Sequence, residues 1–252
     1  MTNPLQHFVR TQKCLLSTGI LVGLILGVRG LATRPAVVRH GVNFQVSTQR
    51  LPLCVKALDF VHRHVHYAQL AQEITQGLAT DRERVMAVFI WTRQHIRRTP
   101  AGWPILDDHI LHIIIRGHGL DDQMADVFTT LSTYAGVPAF WSFLQDASSD
   151  KRLVLSFAKV GGRWAIVDVW NGVMLTDARG AFLTAEEVVA DPHAVVLPAG
   201  ASSSEVPYAR YLAHMCGERF VVPRPLRAEL QQPWPRLVYE TRRAISRLAS
   251  AR

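Results

Sequence analysis

The chain has 252 residues, a formal net charge of +8 and 48% hydrophobic residues. This length can bury a sizeable core, and the apolar content with only 19% charged residues excludes wholesale disorder. A basic surface favours anionic partners, but no zinc-ligand spacing and no basic, aromatic-rich strand pair accompanies it. We therefore expect a folded protein with no nucleic-acid partner. Its three cysteines do not suggest a disulfide framework.

The N-terminal segment contains an uncharged run from Cys14 to Val28, with basic residues on both sides. The run is shorter than the roughly 20 apolar residues of a membrane span and matches the apolar region of a signal peptide. We expect residues 1–33 to form a hydrophobic segment, anchor or signal-like, that associates the protein with a membrane. A packed helix in a cytoplasmic protein is the alternative. The flanking charges leave the side of the membrane open.

Several elements are predicted between residues 34 and 115. Val42, Phe44 and Val46 alternate with polar residues, which predicts a half-buried strand. A helix is predicted from Leu53 to His66, and the capping-box pattern Thr80-Asp81-Arg82-Glu83 starts an apolar helix that reaches Ile96. Residues 106–115 are predicted to be a loop or a short helix.

A glycine-rich turn, Arg116-Gly117-His118-Gly119, leads directly into a helix that ends at Ala135. The sequence Gly136-Val137-Pro138-Ala139 closes this helix and starts a strand. Strands are predicted at residues 140–144, 153–160 and 164–169, with Gly161-Gly162 as a hairpin turn. The start of the helix favours an anion or a thiolate, because its backbone N–H groups are unpaired there.

This layout resembles the transglutaminase-like superfamily. The family pattern is a glycine pair, a catalytic Cys, acidic or amide residues, an Ala and a helix that ends in Gly-Ile/Val-Pro-Ala. A strand, a hairpin and a Trp-x-x-x-Asp arrangement follow, as in Trp164 to Asp168 here. The resemblance covers about Val85 to Asp177. It implies an α+β, papain-like fold with a nucleophile-type helix packed on an antiparallel sheet, plus an N-terminal hydrophobic helix and C-terminal helices.

The catalytic positions depart from the family pattern. Asp121 occupies the Cys position, Leu153 occupies the His position and Asp168 stands in the third place of the triad. In such a site the thiolate attacks an acyl carbon, the His relays the proton and the Asp orients the imidazole. Because Asp121 and Leu153 cannot take these roles, the resemblance implies a catalytically silent pseudoenzyme.

The three positions are then expected to have structural roles. Asp121 should accept hydrogen bonds from first-turn N–H groups of its helix, and Leu153 should face it across the former cleft. Asp168 should turn to an Arg, a backbone N–H or water.

Two functions follow. The first is a binding or accessory module that grips a peptide or glycan, at a membrane beside a biosynthetic enzyme. The alternative is an active hydrolase or acyltransferase with a nonstandard site built from Asp121, Asp122 and Asp168. A histidine that reaches Asp121 would favour the alternative, and His109, His112 and His118 are the candidates.

Other residues are candidates for the cleft or for a metal site. The predicted cleft residues are His118, Asp122, Gln123, Trp164 and Trp170. Carboxylates and imidazoles at Asp107, Asp108, His109, His112 and His118 could gather a divalent cation. Their spacing matches no known ligand pattern, so we expect neither a metal nor a cofactor. His62 and His66 share a helix face but lack the Glu of a zincin motif.

The C-terminal part is predicted to be an extension of the transglutaminase-like domain. A short helix capped at Thr184 is predicted near the end of the domain, and residues 198–207 form a predicted loop after it. Two further helices are predicted at residues 208–216 and 237–251. The last helix is basic and amphipathic, so it would lie on an acidic membrane surface or dock against its own domain. The predicted division is residues 1–33, 34–197 and 198–252.

Overall fold

The computed structural model describes residues 23, 25–107, 109–145, 151–177, 179–191, 206–217 and 220–250. These residues form two compact units. One lies within residues 1–40 and 46–60, and the other lies within residues 41–45 and 61–252. Most of the uncharged run from Cys14 to Val28, and most of the predicted loop at residues 198–207, lie outside the described residues.

The first unit contains helical residues 25–32 and most of two strands, β1 (Pro35–Val42) and β2 (Gln45–Pro52). It also contains the start of a long helix, α1 (Leu53–Thr75), where Lys56 Nζ donates a hydrogen bond to the carbonyl oxygen of Val37 at 2.8 Å. In the parts of the chain that the structure describes, no helix combines the length and apolar character that a membrane span requires.

The predicted strand through Val42, Phe44 and Val46 is wrong. Asn43 and Phe44 have φ angles of 49° and 65° and form the turn between β1 and β2. A turn with positive φ at two positions interrupts the pleat, so the alternation of apolar residues has no common buried face. All three apolar side chains are exposed.

The first helices of the second unit are the rest of α1 and α2 (Asp81–His95). The predicted capping box is confirmed: Thr80 Oγ1 accepts from the N–H of Glu83 at 3.2 Å, and Glu83 Oε2 accepts from the N–H of Thr80 at 2.9 Å. Helix α1 continues nine residues beyond the predicted end at His66, because Tyr67 and Ala71 extend its buried face.

Short elements then lead to the central helix. They are β3 (Arg97–Arg98), β4 (Leu106–Asp107), α3 (Ile110–Arg116) and β5 (His118–Gly119). Strand β4 pairs with Gly41 and Val42 of β1, and β5 pairs in parallel with β3. The central helix, α4 (Asp121–Tyr134), follows directly, and every residue from Gln123 to Thr133 is buried.

The antiparallel sheet has four strands in the order β6 (Ala139–Gln145), β7 (Arg152–Val160), β8 (Arg163–Asp168) and β9 (Val173–Met174). It is followed by α5 (Ala185–Ala190), α6 (Tyr208–Gly217), a 3₁₀ turn (Glu229–Gln231) and α7 (Pro233–Ser250). Helix α7 starts four residues before the prediction, since proline is tolerated in the first turn of a helix.

The sheet separates two hydrophobic cores. Ala158 and Val167 belong to the core that contains Val127 and Leu131 of α4. Their neighbours along the same strands, such as Phe157 and Ile166, belong to a second core with residues of α5 and α6. Because successive strand residues point to opposite faces, this alternation assigns a face to every residue of the sheet.

Candidate active site

The start of α4 is the position where the family pattern places a nucleophile. Leu120 precedes the helix and has no side-chain oxygen, and Asp121 is the first helical residue. Asp121 Oδ1 accepts a hydrogen bond from the N–H of Asp122 at 2.9 Å. This is a bond from one N–H group of the first turn, while Leu120 and not Asp121 occupies the N-cap position.

Gln123 holds the loop before α4 in place. Its Oε1 accepts from the N–H of Leu120 at 3.1 Å and from Arg116 Nη2 at 2.9 Å, and its Nε2 donates to the carbonyl oxygen of Leu106 at 2.5 Å. A Cβ added to Gly119 would lie 3.0 Å from Gln123 Oε1, so a larger residue there would require Gln123 to shift. The amide of Gln123 is committed to internal contacts.

Leu153 does not face Asp121, and that prediction is wrong. Leu153 belongs to the core formed with Leu155, Phe157 and Trp164, which contains no residue of α4. The α4 face of β7 carries Val154, Ser156 and Ala158 instead. The residues at both possible registers, Leu153 and Val154, are aliphatic, so neither supplies an imidazole.

Asp168 is fully buried and has three hydrogen-bond donors. It accepts from the N–H of Asn171 at 2.9 Å, from Asn171 Nδ2 at 2.8 Å and from the hydroxyl of Tyr208 at 2.7 Å. The backbone N–H is one of the partners predicted from the sequence. Burial raises the pKa of Asp168, while the bonds from Asn171 and Tyr208 oppose that rise. Asp168 joins the end of β8 to α6.

Asp126 is the residue that sequence reasoning missed. It lies one turn after Asp122, is buried, and accepts from Trp141 Nε1 at 2.6 Å on one oxygen. Its other oxygen lies 2.7 Å from Arg227 Nη2. Burial raises its pKa to about 6, and Arg227 and Trp141 oppose the rise. An aspartate in the middle of a wholly buried helix was the available signal, because buried carboxylates require partners.

Asp122 lies beside this pair, on the same face of the helix by its four-residue spacing from Asp126. Burial raises the pKa of its carboxyl, with a smaller contribution from the charge of Asp121. Its Oδ1 is buried and has no hydrogen-bond partner. The negative charge of Asp107 raises the pKa of both Asp122 and Asp126 further. The environment of Asp122 and Asp126 thus favours the protonated form of these two carboxyls.

The other predicted cleft residues, His118 and Trp170, contact different neighbours. His118 Nδ1 lies 3.3 Å from Thr99 Oγ1, and its ring contacts Trp103 edge-on. Burial, followed by the Arg116 guanidinium, lowers the pKa of His118. The ring of Trp170 lies under the Arg98 guanidinium at 4.3 Å.

Trp164 lies in the second core, on the sheet face away from α4. It is therefore not brought together with Asp122 and Gln123.

The candidate acid–base and metal residues do not assemble around Asp121. Among the described residues, no histidine forms a hydrogen bond with Asp121. Across the same described ranges, no group of three or more His, Cys, Asp or Glu side chains is arranged to hold a metal ion. Asp108, one of the candidate ligands, lies outside the described residues. His62 Nε2 and His66 Nε2 lie 3.0 Å apart, on the exposed face of α1.

The sequence comparison agrees with this architecture. Residues 68–180 match the sequence model of the transglutaminase-like superfamily. Residues 68–180 form a transglutaminase-like domain. The match includes α2, the nucleophile-type helix α4 and the whole four-stranded sheet, so the α+β fold is that of the family. A comparison with curated proteins finds no significant relative.

Three solved structures are similar to parts of the chain. A putative protease from Parabacteroides distasonis is 10% identical, with a TM-score of 0.34, over 54% of this chain and 36% of its own. A putative cysteine protease from Cytophaga hutchinsonii is 14% identical, with a TM-score of 0.37, over 49% and 45%. A TGase is 10% identical, with a TM-score of 0.34, over 58% and 46%. The chain spans less than half the length of each.

Proposed function

We propose that this transglutaminase-like domain performs no acyl-transfer or amide hydrolysis and acts as a binding or accessory module. The proposal rests on one observation, the contacts that the side chains at the three triad positions make. Asp121 bonds to its own helix, Leu153 packs in the core on the other side of the sheet, and Asp168 is saturated by Asn171 and Tyr208. No nucleophile, proton relay or free orienting carboxylate is left at these positions.

The environment of Asp121 supports the same proposal. A carboxylate that attacked an amide would form an anhydride, and an acid would have to protonate the departing amine. No described histidine hydrogen-bonds to Asp121, and His118 instead lies against Thr99 and Trp103. Because burial lowers the pKa of His118, less of this histidine carries the proton that an acid would have to donate at neutral pH.

The test is a search for turnover with the full chain. Glutaminyl peptide with hydroxylamine reports acyl transfer, and peptide p-nitroanilides report hydrolysis. We expect no product above the buffer rate between pH 5 and pH 8, and the same result for Asp121→Ala. Turnover that Asp121→Ala abolishes would contradict the proposal.

A second function, a hydrolase or acyltransferase with an aspartate-based site, has one observation in its favour. Asp122 and Asp126 both have raised pKa values, and perturbed carboxyls often mark chemical sites. This pair differs from the site of Asp121, Asp122 and Asp168 that the sequence suggested, because Asp168 lies on the opposite face of the sheet. If this function is correct, turnover will be lost in Asp122→Asn and will show a pH dependence between pH 5 and pH 7.

Membrane association is part of the proposed role. It rests on the uncharged N-terminal run and on α7, where residues 241–250 are all exposed. Along α7, exposed Leu237, Ile245 and Leu248 accompany four arginines and one glutamate. A helix with apolar and basic residues that does not bury its apolar side chains suits an acidic bilayer surface.

A further inference from the structure

A pocket of about 660 Å³ lies where the β7–β8 hairpin meets the C-terminal segment. Its base includes Trp164 and Leu226, both of which belong to the core on the sheet face away from α4. The first turns of α7 form part of its wall. The pocket contains none of the triad positions, and its lining combines prolines, aromatic rings and charged side chains.

The walls of this pocket are stiff and apolar. Four of the lining residues are prolines, and three are aromatic side chains, Trp164, Trp234 and Tyr239. Proline has a fixed φ angle and aromatic rings have few rotamers, so such walls lose little conformational entropy when a ligand binds. Aromatic rings and prolines suit an apolar, planar ligand body, because a planar ring can stack on them.

The charges in the pocket are mainly positive. Lys159, Arg224 and Arg242 contribute three cations, and Glu229 contributes the single anion. Glu229 Oε2 is engaged with the N–H of Leu226 at 3.3 Å. Lys159 Nζ lies 5.9 Å from the ring centre of Trp164. Within the described ranges, neither Arg224 nor Arg242 forms a hydrogen bond or an ion pair.

We propose that this pocket binds a small organic anion with a planar apolar body and an acidic head group. The prolines and aromatic rings contact the body, and Arg224 and Arg242 pair with the head group, since guanidinium groups bind carboxylates and related oxyanions through paired hydrogen bonds. The pocket volume is in the range of small-molecule sites. This site is separate from the triad positions, and its occupancy does not depend on whether the domain has kept catalytic activity.

The test uses two fluorescent probes of nearly the same shape, 1-anilinonaphthalene-8-sulfonate and its uncharged analogue N-phenyl-1-naphthylamine. We expect the sulfonate to bind the full chain with one site per molecule. Arg242→Gln should raise its dissociation constant about three- to tenfold, the effect of losing one partly exposed charge-assisted contact. The same variant should leave the affinity for the uncharged probe unchanged.

Arg243→Gln is the matched control, because it removes the same charge from the next residue of α7, which does not line the pocket. It should change the affinity for the sulfonate less than twofold. Equal losses in Arg242→Gln and Arg243→Gln would show general charge attraction and overturn the proposal.

A second pair of variants locates the apolar contact. Trp234 lines the pocket and is 72% exposed, whereas Ile245 is 61% exposed on the same helix outside it. Trp234→Ala should weaken both probes, and Ile245→Ala should weaken neither. The reverse pattern would place the probes on the exposed apolar side chains of α7 and would also overturn the proposal. Both substitutions are at exposed positions, so the fold should be retained.

Discussion

The buried carboxyl of Asp126 makes the stability of the folded protein depend on pH. This dependence tests how Asp126 is packed in the core around α4. Burial raises its pKa from 3.8 to about 6. Between these values the folded protein holds a proton that the unfolded chain has released. The stability that this bound proton contributes is therefore fully present below pH 3.8 and is lost as the pH rises through 6. At 1.36 kcal/mol per pH unit, the loss is about 3 kcal/mol.

Asp126→Asn removes this titration and keeps an oxygen that can accept from Trp141 Nε1. The substitution also removes the ion pair with Arg227, but the effect of that pair is already contained in the pKa of Asp126 and is not added separately. Relative to the wild type, the free energy of unfolding of Asp126→Asn should therefore increase by roughly 2–3 kcal/mol between pH 4 and pH 8. Urea unfolding followed by circular dichroism at several pH values measures it.

Asp81→Asn is the matched control, since it makes the same substitution in a helix at a side chain that is 46% exposed. Its stability should follow the wild type across the same pH range. If Asp126→Asn also follows the wild type, then Arg227 and Trp141 balance the effect of burial, the pKa of Asp126 is not raised by folding, and the argument is refuted.

Three further predictions concern the α4 start, Asp168 and the N-terminus. Asp121→Asn should leave the melting temperature nearly unchanged, and Asp121→Leu should destabilise by about 0.5–2 kcal/mol; equal melting for the wild type and the Leu variant would show that the carboxylate does not stabilise the helix start. Tyr208→Phe removes a donor from fully buried Asp168 and should cost about 1–3 kcal/mol in chemical unfolding; no measurable loss would mean that Asn171 alone satisfies the carboxyl. Deleting residues 1–32 should shift the protein from the membrane to the soluble fraction; if both forms are soluble at moderate salt, the run is a packing helix.

Local patterns predicted the elements that depend on neighbours along the chain. The capping box at Thr80 is formed by residues three positions apart, and the Gly161-Gly162 turn needs only its own positive φ angles. Helix α4 was placed by its flanking glycines and by its likeness to a known family. Such elements are specified by short-range sterics and hydrogen bonds, which a single sequence displays.

Contacts between residues far apart in the sequence could not be predicted from local patterns. The pairing of Asp126 with Arg227 joins positions 101 apart, and the bond between Tyr208 and Asp168 joins positions 40 apart. The pocket likewise combines the β7–β8 hairpin with the first turns of α7. The sequence contains these residues, but only the folded chain brings them into contact.

The sequence by itself predicted that Asp121 and Leu153 stand at the Cys and His positions of the family pattern, and this prediction led to the proposal of lost chemistry. Only the tertiary structure decided which face of the sheet each residue occupies. Alternation along a strand divides its residues into two sets, but the partners that pack on each face define which set meets α4. Here α4 packs against the set with Ala158, so Leu153 and Asp168 lie on the other face, where the hydroxyl of Tyr208 donates a hydrogen bond to Asp168.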